Sequence, residues 1–474
     1  MKLPEFWKTG VALLVLAGLG SYIWFVERKR EPRREGEREK VTVLAVDKAK
    51  AKEITIAAAG GEAIRLVREG TAWKLAAPFD APADTAAVES MLTSLEKLEA
   101  DEVVVEQAAN PAEFGLDKPS RAVTAVVEGA PAPLGVEFGA KSPDGSSVYA
   151  RAAGSPKVYL VPSWVEGGFD KKPFDLRDRD LLHVKREDVR SLEVTGPEGS
   201  YALARTDAGE WAFTKPLATR AGRWSVDGLL GTVENLRMES VAAEATTDVK
   251  GFGLDKPART VSLVTKDGQA RTLEIGAGAP DPAATPPPSP SPATKGEKPL
   301  PPKPTKRYAR QAGTGLVAVV PATLADDLAK GMAELRAKRL LEVATYETEG
   351  FEAVAGGTKR VYAKSTTKDK DGFDKTQWKR TAPDAKDLET TKVEDALFKM
   401  GGVEVSEFVD QPQAPGAYGL DAPVLKVTVK AKGESWIEVG KKDGAVYARR
   451  SGDSAVLKLD PTKADELIKA FSEL

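Results

Sequence analysis

The sequence predicts an α+β protein in which three tandem repeats of an antiparallel-strand-plus-helix domain follow one N-terminal transmembrane helix. Three observations lead to this class. A six-residue turn, aromatic-Gly-Leu-Asp-x-Pro, occurs at residues 114–119, 252–257 and 418–423. A tryptophan precedes the glycine of each turn by 41 or 42 residues, and an uncharged apolar stretch covers residues 9–26.

The length of the chain agrees with this division, since 474 residues suit about three domains of roughly 150 residues each. The predicted segments are a short tail at 1–8, a transmembrane anchor at 9–26, a charged spacer at 27–40, repeat one at 41–182, repeat two at 183–341 and repeat three at 342–474. A composition of 41% apolar and 30% charged residues is typical of well-hydrated domains.

The N-terminal apolar stretch has the length of a membrane span, because its residues would form a helix of roughly 27 Å. A buried core helix and a cleaved signal peptide are the alternatives, but residues 22–25 provide no small-x-small cleavage site. The basic residues after the span favour a cytoplasmic location for the rest of the chain. Interleaved glutamates and the very short tail favour the opposite side, so we expect a bacterial inner-membrane protein with a periplasmic bulk.

Within each repeat, alternating apolar and polar residues predict short antiparallel strands, and a helical stripe follows them. The stripe has the same apolar character in all three repeats. Its predicted members are Val88, Met91, Leu92, Leu95 and Leu98 in repeat one, Val226, Leu229, Leu230, Val233 and Leu236 in repeat two, and Val393, Ala396, Leu397, Met400 and Val403 in repeat three.

The repeated motif joins a tryptophan, a proline five residues later and the Gly-Leu-Asp turn. Glycine accepts a positive φ at little cost, the aspartate is expected to accept backbone hydrogen bonds, and the last proline starts a strand. The motif residues are Trp73, Pro78, Phe114, Gly115, Leu116, Asp117 and Pro119; Trp211, Pro216, Phe252, Gly253, Leu254, Asp255 and Pro257; and Trp378, Pro383, Tyr418, Gly419, Leu420, Asp421 and Pro423.

A second set of strands follows each turn and carries an arginine in a repeated Tyr-Ala-Arg sequence. Arg151, Arg310 and Arg449 are ordinary strand residues or, alternatively, a row that binds an acidic ligand. In repeat two a proline-rich insertion at 279–305 separates two of these strands and predicts a disordered loop. A docking site for a partner that recognises polyproline is the alternative.

The sequence offers little for catalysis. It has no cysteine and a single histidine, His183, so thiolate chemistry, a Cys-based metal site and a histidine pair are excluded. No nucleotide-binding fingerprint is present. We therefore predict no catalytic, cofactor-binding or metal-binding residues, and the net charge of −2 gives no reason to expect a nucleic-acid partner.

Trp-x-x-x-x-Pro, a helix and aromatic-Gly-Leu-Asp-x-Pro together resemble the bacterial family catalogued as domain of unknown function 4340. The resemblance covers nearly everything after residue 40 and brings no known catalytic residues. It implies a membrane-anchored protein, often encoded beside a gliding-motility-type ABC transporter. The implied partner is a membrane protein such as a transporter permease or auxiliary subunit.

Two functions remain open at the level of sequence. The first is a non-catalytic, membrane-anchored binding or scaffold protein, an accessory subunit of an ABC-transporter-type or cell-envelope complex. The second is an envelope hydrolase that uses dispersed carboxylates in a cleft between repeats. A pocket with converging acids in one repeat only would favour the hydrolase.

Overall fold

The computed structural model describes residues 40–281, 304–368, 374–431 and 433–474. These residues form two compact units, one that ends at Asp178 and one that covers Arg179–Leu474. The first unit contains repeat one, and the second contains repeats two and three.

Repeat one has a nine-stranded sheet, a separate two-stranded sheet and two helices. Its strands are β1 (Val41–Leu44), β2 (Ala51–Ala58), β3 (Ile64–Glu69), β4 (Ala72–Ala77), β5 (Ala81–Pro82), β6 (Leu98–Ala100), β7 (Glu102–Val105), β8 (Arg121–Val127), β9 (Leu134–Lys141), β10 (Ser147–Ala152) and β11 (Val158–Pro162). Its helices are α1 (Thr85–Glu96) and α2 (Ser163–Gly168).

Repeat two has a nine-stranded sheet and three helices. Its strands are β12 (Val189–Gly196), β13 (Gly199–Arg205), β14 (Trp211–Lys215), β15 (Thr219–Arg220), β16 (Ser240–Ala243), β17 (Arg259–Thr265), β18 (Ala270–Ala279), β19 (Lys306–Gln311) and β20 (Val317–Pro321). Its helices are α3 (Arg223–Glu234), α4 (Thr323–Asp327) and α5 (Met332–Leu335).

Repeat three also has a nine-stranded sheet, with two longer helices. Its strands are β21 (Gly350–Ala355), β22 (Thr358–Lys368), β23 (Asp374–Ala382), β24 (Lys386–Leu388), β25 (Val405–Val409), β26 (Leu425–Lys430), β27 (Glu434–Lys442), β28 (Ala445–Arg450) and β29 (Val456–Leu459). Its helices are α6 (Thr390–Gly402) and α7 (Pro461–Glu473).

The three nine-stranded sheets have the same topology. Their strand orders are β5-β4-β3-β2-β8-β9-β10-β11-β7, β15-β14-β13-β12-β17-β18-β19-β20-β16 and β24-β23-β22-β21-β26-β27-β28-β29-β25. Neighbouring strands are antiparallel, as in Ile54↔Ala125 and Val194↔Val261. The internal repeats predicted from the sequence are therefore confirmed.

One long helix in each repeat buries the predicted apolar stripe. In α1 the Asp84 side chain caps the helix by accepting a hydrogen bond from the Ala87 amide at 3.0 Å, and the stripe faces the core. In α1, α3 and α6 the first four predicted stripe residues are buried. The fifth, as in Leu98, lies just after the helix and is also buried.

The predicted α+β class is wrong in its balance of secondary structure. The described residues are mostly antiparallel sheet, with 44% of them in strands against 21% in helices. Several strands that the sequence analysis missed are short, such as β5, β15 and β24. They are too short to show a period of two, because pairing with a neighbour rather than their own pattern holds them in place.

The transmembrane helix of the predicted class is not part of the described fold. In the described ranges no helix has the length and apolar character needed to cross a bilayer. The apolar stretch at 9–26, the tail at 1–8 and all but Lys40 of the spacer lie outside the described residues. The corrected fold class is a tandem array of antiparallel nine-stranded sheets, each with a helix that buries the predicted apolar stripe.

Two other predicted segments change in detail. Of the insertion at 279–305, β18 includes Ala279 and the Thr305 hydroxyl donates to Asp281 at 2.7 Å, whereas 282–303 lie outside the described residues. Leu340 and Leu341, placed at the end of repeat two by the sequence analysis, pack in the core of repeat three.

Candidate functional site

In each repeat a short 3-10 helix ends at the glycine of the Gly-Leu-Asp turn, and this glycine has the left-handed conformation. Gly115, Gly253 and Gly419 have φ angles of 67°, 66° and 67°. In all three repeats the amide of the next leucine donates to a carbonyl five residues earlier, as in Leu116 to Pro111 at 3.0 Å. The turns follow the 3-10 helices Pro111–Phe114, Lys250–Phe252 and Pro415–Tyr418.

Two apolar contacts pack each turn against its sheet. The leucine is buried in all three repeats: Leu116, Leu254 and Leu420 are 1%, 2% and 3% exposed. The aromatic residue packs edge-on against the tyrosine of the Tyr-Ala-Arg strand. The ring centroids are 5.2 Å apart for Phe114–Tyr149, 4.9 Å for Phe252–Tyr308 and 5.1 Å for Tyr418–Tyr447.

A second glycine lets the turn approach the neighbouring strand. A Cβ at Gly139 would lie 2.2 Å from the Phe114 carbonyl oxygen, and one at Gly276 would lie 2.3 Å from that of Phe252. A Cβ at Gly440, the equivalent glycine of repeat three, would lie 2.4 Å from the Gly419 carbonyl oxygen. The glycines therefore allow the backbone of the turn to pack directly against the backbone of the neighbouring strand.

The other motif residues also have structural positions. Trp73, Trp211 and Trp378 are buried, and Pro78, Pro216 and Pro383 directly follow their strands after cis peptide bonds. Pro119, Pro257 and Pro423 lie two residues before β8, β17 and β26. Asp117, Asp255 and Asp421 are exposed.

The expected hydrogen bonds to these aspartates are absent: within the described ranges, no backbone amide bonds to any of the three carboxylates. The turn is held instead by its own backbone bond and by the buried leucine. A carboxylate at this position thus needs no partner, because it remains in water.

Each of the three repeated arginines forms an ion pair within its own sheet. Each lies opposite a glutamate on the adjacent strand of its own sheet. The N···O distances are 2.5 Å for Arg151–Glu137, 2.6 Å for Arg310–Glu274 and 2.6 Å for Arg449–Glu438. Burial tends to raise the pKa of Glu438, but hydrogen bonds from Lys426 and Arg449 outweigh it and hold this pKa below its ordinary value.

A cleft of about 850 Å³ lies in the second unit, between the α3 side of repeat two and the segment 334–347 that leads into repeat three. Trp224 and Tyr346 line it and are 75% and 79% exposed. Arg223 places its guanidinium 5.6 Å from the Trp224 ring centroid. We call this feature the α3 cleft.

The carboxylates that line the α3 cleft are engaged. Glu210 pairs with Arg220, and Glu342 lies 3.6 Å from Arg339. Further partners are the Gly331 amide, which donates to Glu334 at 2.8 Å, and Arg223, which lies 3.9 Å from Asp227. Lys338, also in the lining, forms no ion pair within the described part of the chain.

Trp211 is a buried residue of the α3 cleft lining. Its indole Nε1 is buried and has no hydrogen-bond partner, while Arg205 covers the ring at 4.6 Å. In repeat one the equivalent Trp73 Nε1 donates to Glu89 Oε1 at 2.9 Å. Repeat two has the shorter Asp227 at the position of Glu89. Chain length is not the whole cause, since Trp378 in repeat three also lacks a partner although a glutamate occupies the equivalent position.

A buried ion network holds the segment beside the cleft between repeats two and three. Arg336, with a side chain 3% exposed, donates to Thr219 Oγ1 at 3.1 Å and to Asp410 Oδ1 at 2.8 Å. Arg450 donates to Asp453 Oδ2 at 2.8 Å and to the Ala337 carbonyl at 3.0 Å. Burial lowers the pKa of Arg450, and Asp453 opposes that effect.

The sequence analysis missed this cleft, although one signal pointed to it. Trp224 occupies a helix position where the other repeats have Ala86 and Thr391. A large aromatic residue that is exposed and confined to one repeat has no role in the shared core.

Fold and site define a tandem-repeat β protein with an open cleft, lined by Trp224 and Tyr346, in its second compact unit. The family described as domain of unknown function (DUF4340) matches residues 73–220, 211–284, 298–423 and 378–474, and three of these matches begin at the repeated tryptophans. The chain belongs to this family. A comparison with curated proteins gives no match.

Proposed function

We propose that this protein is a non-catalytic binding or scaffold protein that holds a partner protein in the α3 cleft. The observation that carries the proposal is the pair of aromatic side chains, Trp224 and Tyr346, exposed in the lining of one cleft. Tryptophan, tyrosine and arginine contribute most to binding energy in protein interfaces, and the same lining contains several arginines.

The surroundings of the acids favour binding over the hydrolytic alternative. A general acid or base needs a carboxylate within reach of substrate and free to exchange a proton. The lining carboxylates of Glu210, Asp227 and Glu342 face arginines instead. Each of these three carboxylates therefore has an arginine as its neighbour, which favours its charged form.

The resemblance described above suggests the class of partner. We propose an accessory role in an envelope complex at the bacterial inner membrane, with an ABC transporter permease or auxiliary subunit as the bound protein. Placement of the bulk of the chain in the periplasm belongs to the same proposal. The separate sheets, with a shared frame and different loops, support a scaffold, because rigid frames tolerate variation where binding occurs.

The test is capture of partners by the tagged full chain from membranes treated with mild detergent. A protein retained by the wild type should be lost from the double variant Trp224→Ala/Tyr346→Ala. Trp164→Ala is the matched control, since Trp164 is 72% exposed and lies in the first unit. Equal retention by the double variant and the control would reject the α3 cleft as the binding site.

A further inference from the structure

We propose that repeat three binds an anionic lipid surface through one face of its sheet. This surface is separate from the α3 cleft, and the inference rests on the membrane location in the proposed function. It is carried by the position, the missing partners and the spacing of a set of lysines on β22, β23 and β26. We call this surface the lysine face, after its five lysines: Lys359, Lys375, Lys379, Lys426 and Lys430.

The two faces of this sheet differ. Phe351 of β21 packs against Phe471 of α7, with ring centroids 5.9 Å apart, so the Phe351 side is covered by a helix. Side chains alternate along a strand, and Glu352 therefore points to the opposite side. The register of the neighbouring strands places all five lysines on the same side as Glu352. Each of the five is exposed.

Basic charge exceeds acidic charge on the lysine face. Lys359 lies 2.8 Å from Glu352, and Lys426 lies 3.0 Å from Glu438. The other three lysines form no ion pair with any residue that the structure describes: Lys375, Lys379 and Lys430. Their ammonium groups therefore remain available to an anionic partner.

Repeat one shows that the shared fold does not require an unpaired lysine here. Lys379 directly follows the repeated tryptophan of β23, as Lys74 does in β4. Lys74 lies 2.9 Å from Asp80, whereas the position equivalent to Asp80 in repeat three is Ala385. The lysine is thus present in both repeats, and its acidic partner is missing from repeat three.

The spacing of the three unpaired lysines favours a broad anionic surface over a single acidic group. Lys379 and Lys430 lie in one cross-strand row, with Ala363 and Gly350 between them. Three strand spacings separate them, which is about 14 Å. Lys375 is four residues from Lys379 along β23, or about 13 Å. Both distances exceed the Debye length of about 8 Å, so one carboxylate or phosphate would not attract all three.

A lipid bilayer fits this arrangement. It presents anionic groups at every position, so the lysines need no fixed register with it, and each lysine near such a surface strengthens binding about fivefold. The residues between the lysines, such as Gly350, Ala363 and Ser365, are short, so the lysine side chains extend beyond them. Single-stranded nucleic acid also needs aromatic side chains for stacking, and the described positions of β21, β22, β23 and β26 on this side of the sheet carry none.

The experiment uses a dye attached to the lysine face of the full chain. The sequence has no cysteine, so Ser365→Cys provides a single attachment point for an environment-sensitive dye on β22. The labelled chain is reconstituted into vesicles of phosphatidylcholine, with or without phosphatidylglycerol. We expect a blue shift of the dye emission only where phosphatidylglycerol is present. About 1 M salt should abolish the shift, because the Debye length falls to about 3 Å. A dye at Ser200→Cys, an exposed position on β13 of repeat two, should not respond.

Charge variants of the dye-labelled chain identify the groups responsible. The triple variant Lys375→Gln/Lys379→Gln/Lys430→Gln should lose the blue shift, and the same three positions changed to arginine should keep it, because the charge is kept. The matched control removes three exposed lysines that also lack an ion pair within the described ranges, and it should keep the shift: Lys118→Gln/Lys141→Gln/Lys256→Gln.

Four results would overturn the inference: no shift with phosphatidylglycerol, an equal shift on both lipids, an equal shift for the dyes at positions 365 and 200, or the same response in the glutamine triple variant and its control. If soluble polyglutamate or a DNA duplex produces the shift and vesicles do not, the lysine face binds an acidic macromolecule and the lipid is wrong. These outcomes are distinct from failure of the proposed function. Partner capture is compared with Trp224→Ala/Tyr346→Ala, which retains every lysine, so loss of capture in that variant without any lipid response would reject the lysine face alone.

Discussion

A methyl group added at Gly276 tests the close packing between turn and strand in repeat two. Its Cβ would lie 2.3 Å from the Phe252 carbonyl oxygen and 3.0 Å from Leu254 Cγ. The nearest atom is backbone, so relief requires movement of the whole turn, and that movement disturbs the buried leucine. We expect Gly276→Ala to lower the free energy of unfolding by about 1–3 kcal/mol, the usual cost of overpacking.

Gly228→Ala is the matched control, because it adds the same methyl group where no atom lies within 4 Å. Gly228 lies inside α3, where alanine is favoured over glycine by about 1 kcal/mol. The two variants should therefore shift stability in opposite directions. Urea-dependent hydrogen exchange, read on peptides from repeat two, measures the local free energy without assuming that the chain unfolds as one unit. Equal exchange in Gly276→Ala and wild type would refute the close-packing argument.

Two further predictions concern charges in repeat three. Asp453→Asn leaves Arg450 buried without its carboxylate, so we expect a loss of about 3–5 kcal/mol in urea unfolding, and an unchanged midpoint would contradict the network. The folded pKa of Glu438 is lowered, so its contribution to stability is complete above the ordinary value of 4.5 and is lost as pH falls through the folded pKa. Stability measured below pH 4.5 should fall less steeply in Glu438→Gln than in wild type, and parallel slopes would exclude this role.

The repeated parts of the fold could be predicted because three copies in one chain act as an internal alignment. Apolar residues such as Val88 and Val226 recur at the same place, and the structure buries both in equivalent helices. The glycine of the turn could be predicted for the same reason. The number of strands could not, since edge strands such as β15 have two residues and no pattern of their own.

Comparison of the repeats could not predict the α3 cleft, because the cleft is formed by residues that differ between the repeats. Arg336 reaches Asp410 across 74 residues of sequence, and no periodicity connects the two positions. Asp453 corresponds to Thr314 in repeat two, so the network that positions the segment beside the cleft has no counterpart to align. Residues shared by the three repeats identify the common sheet and helix, because every repeat needs them to fold. A residue found in one repeat alone, such as Trp224, belongs to no shared core, so comparison of the repeats assigns it no structural role.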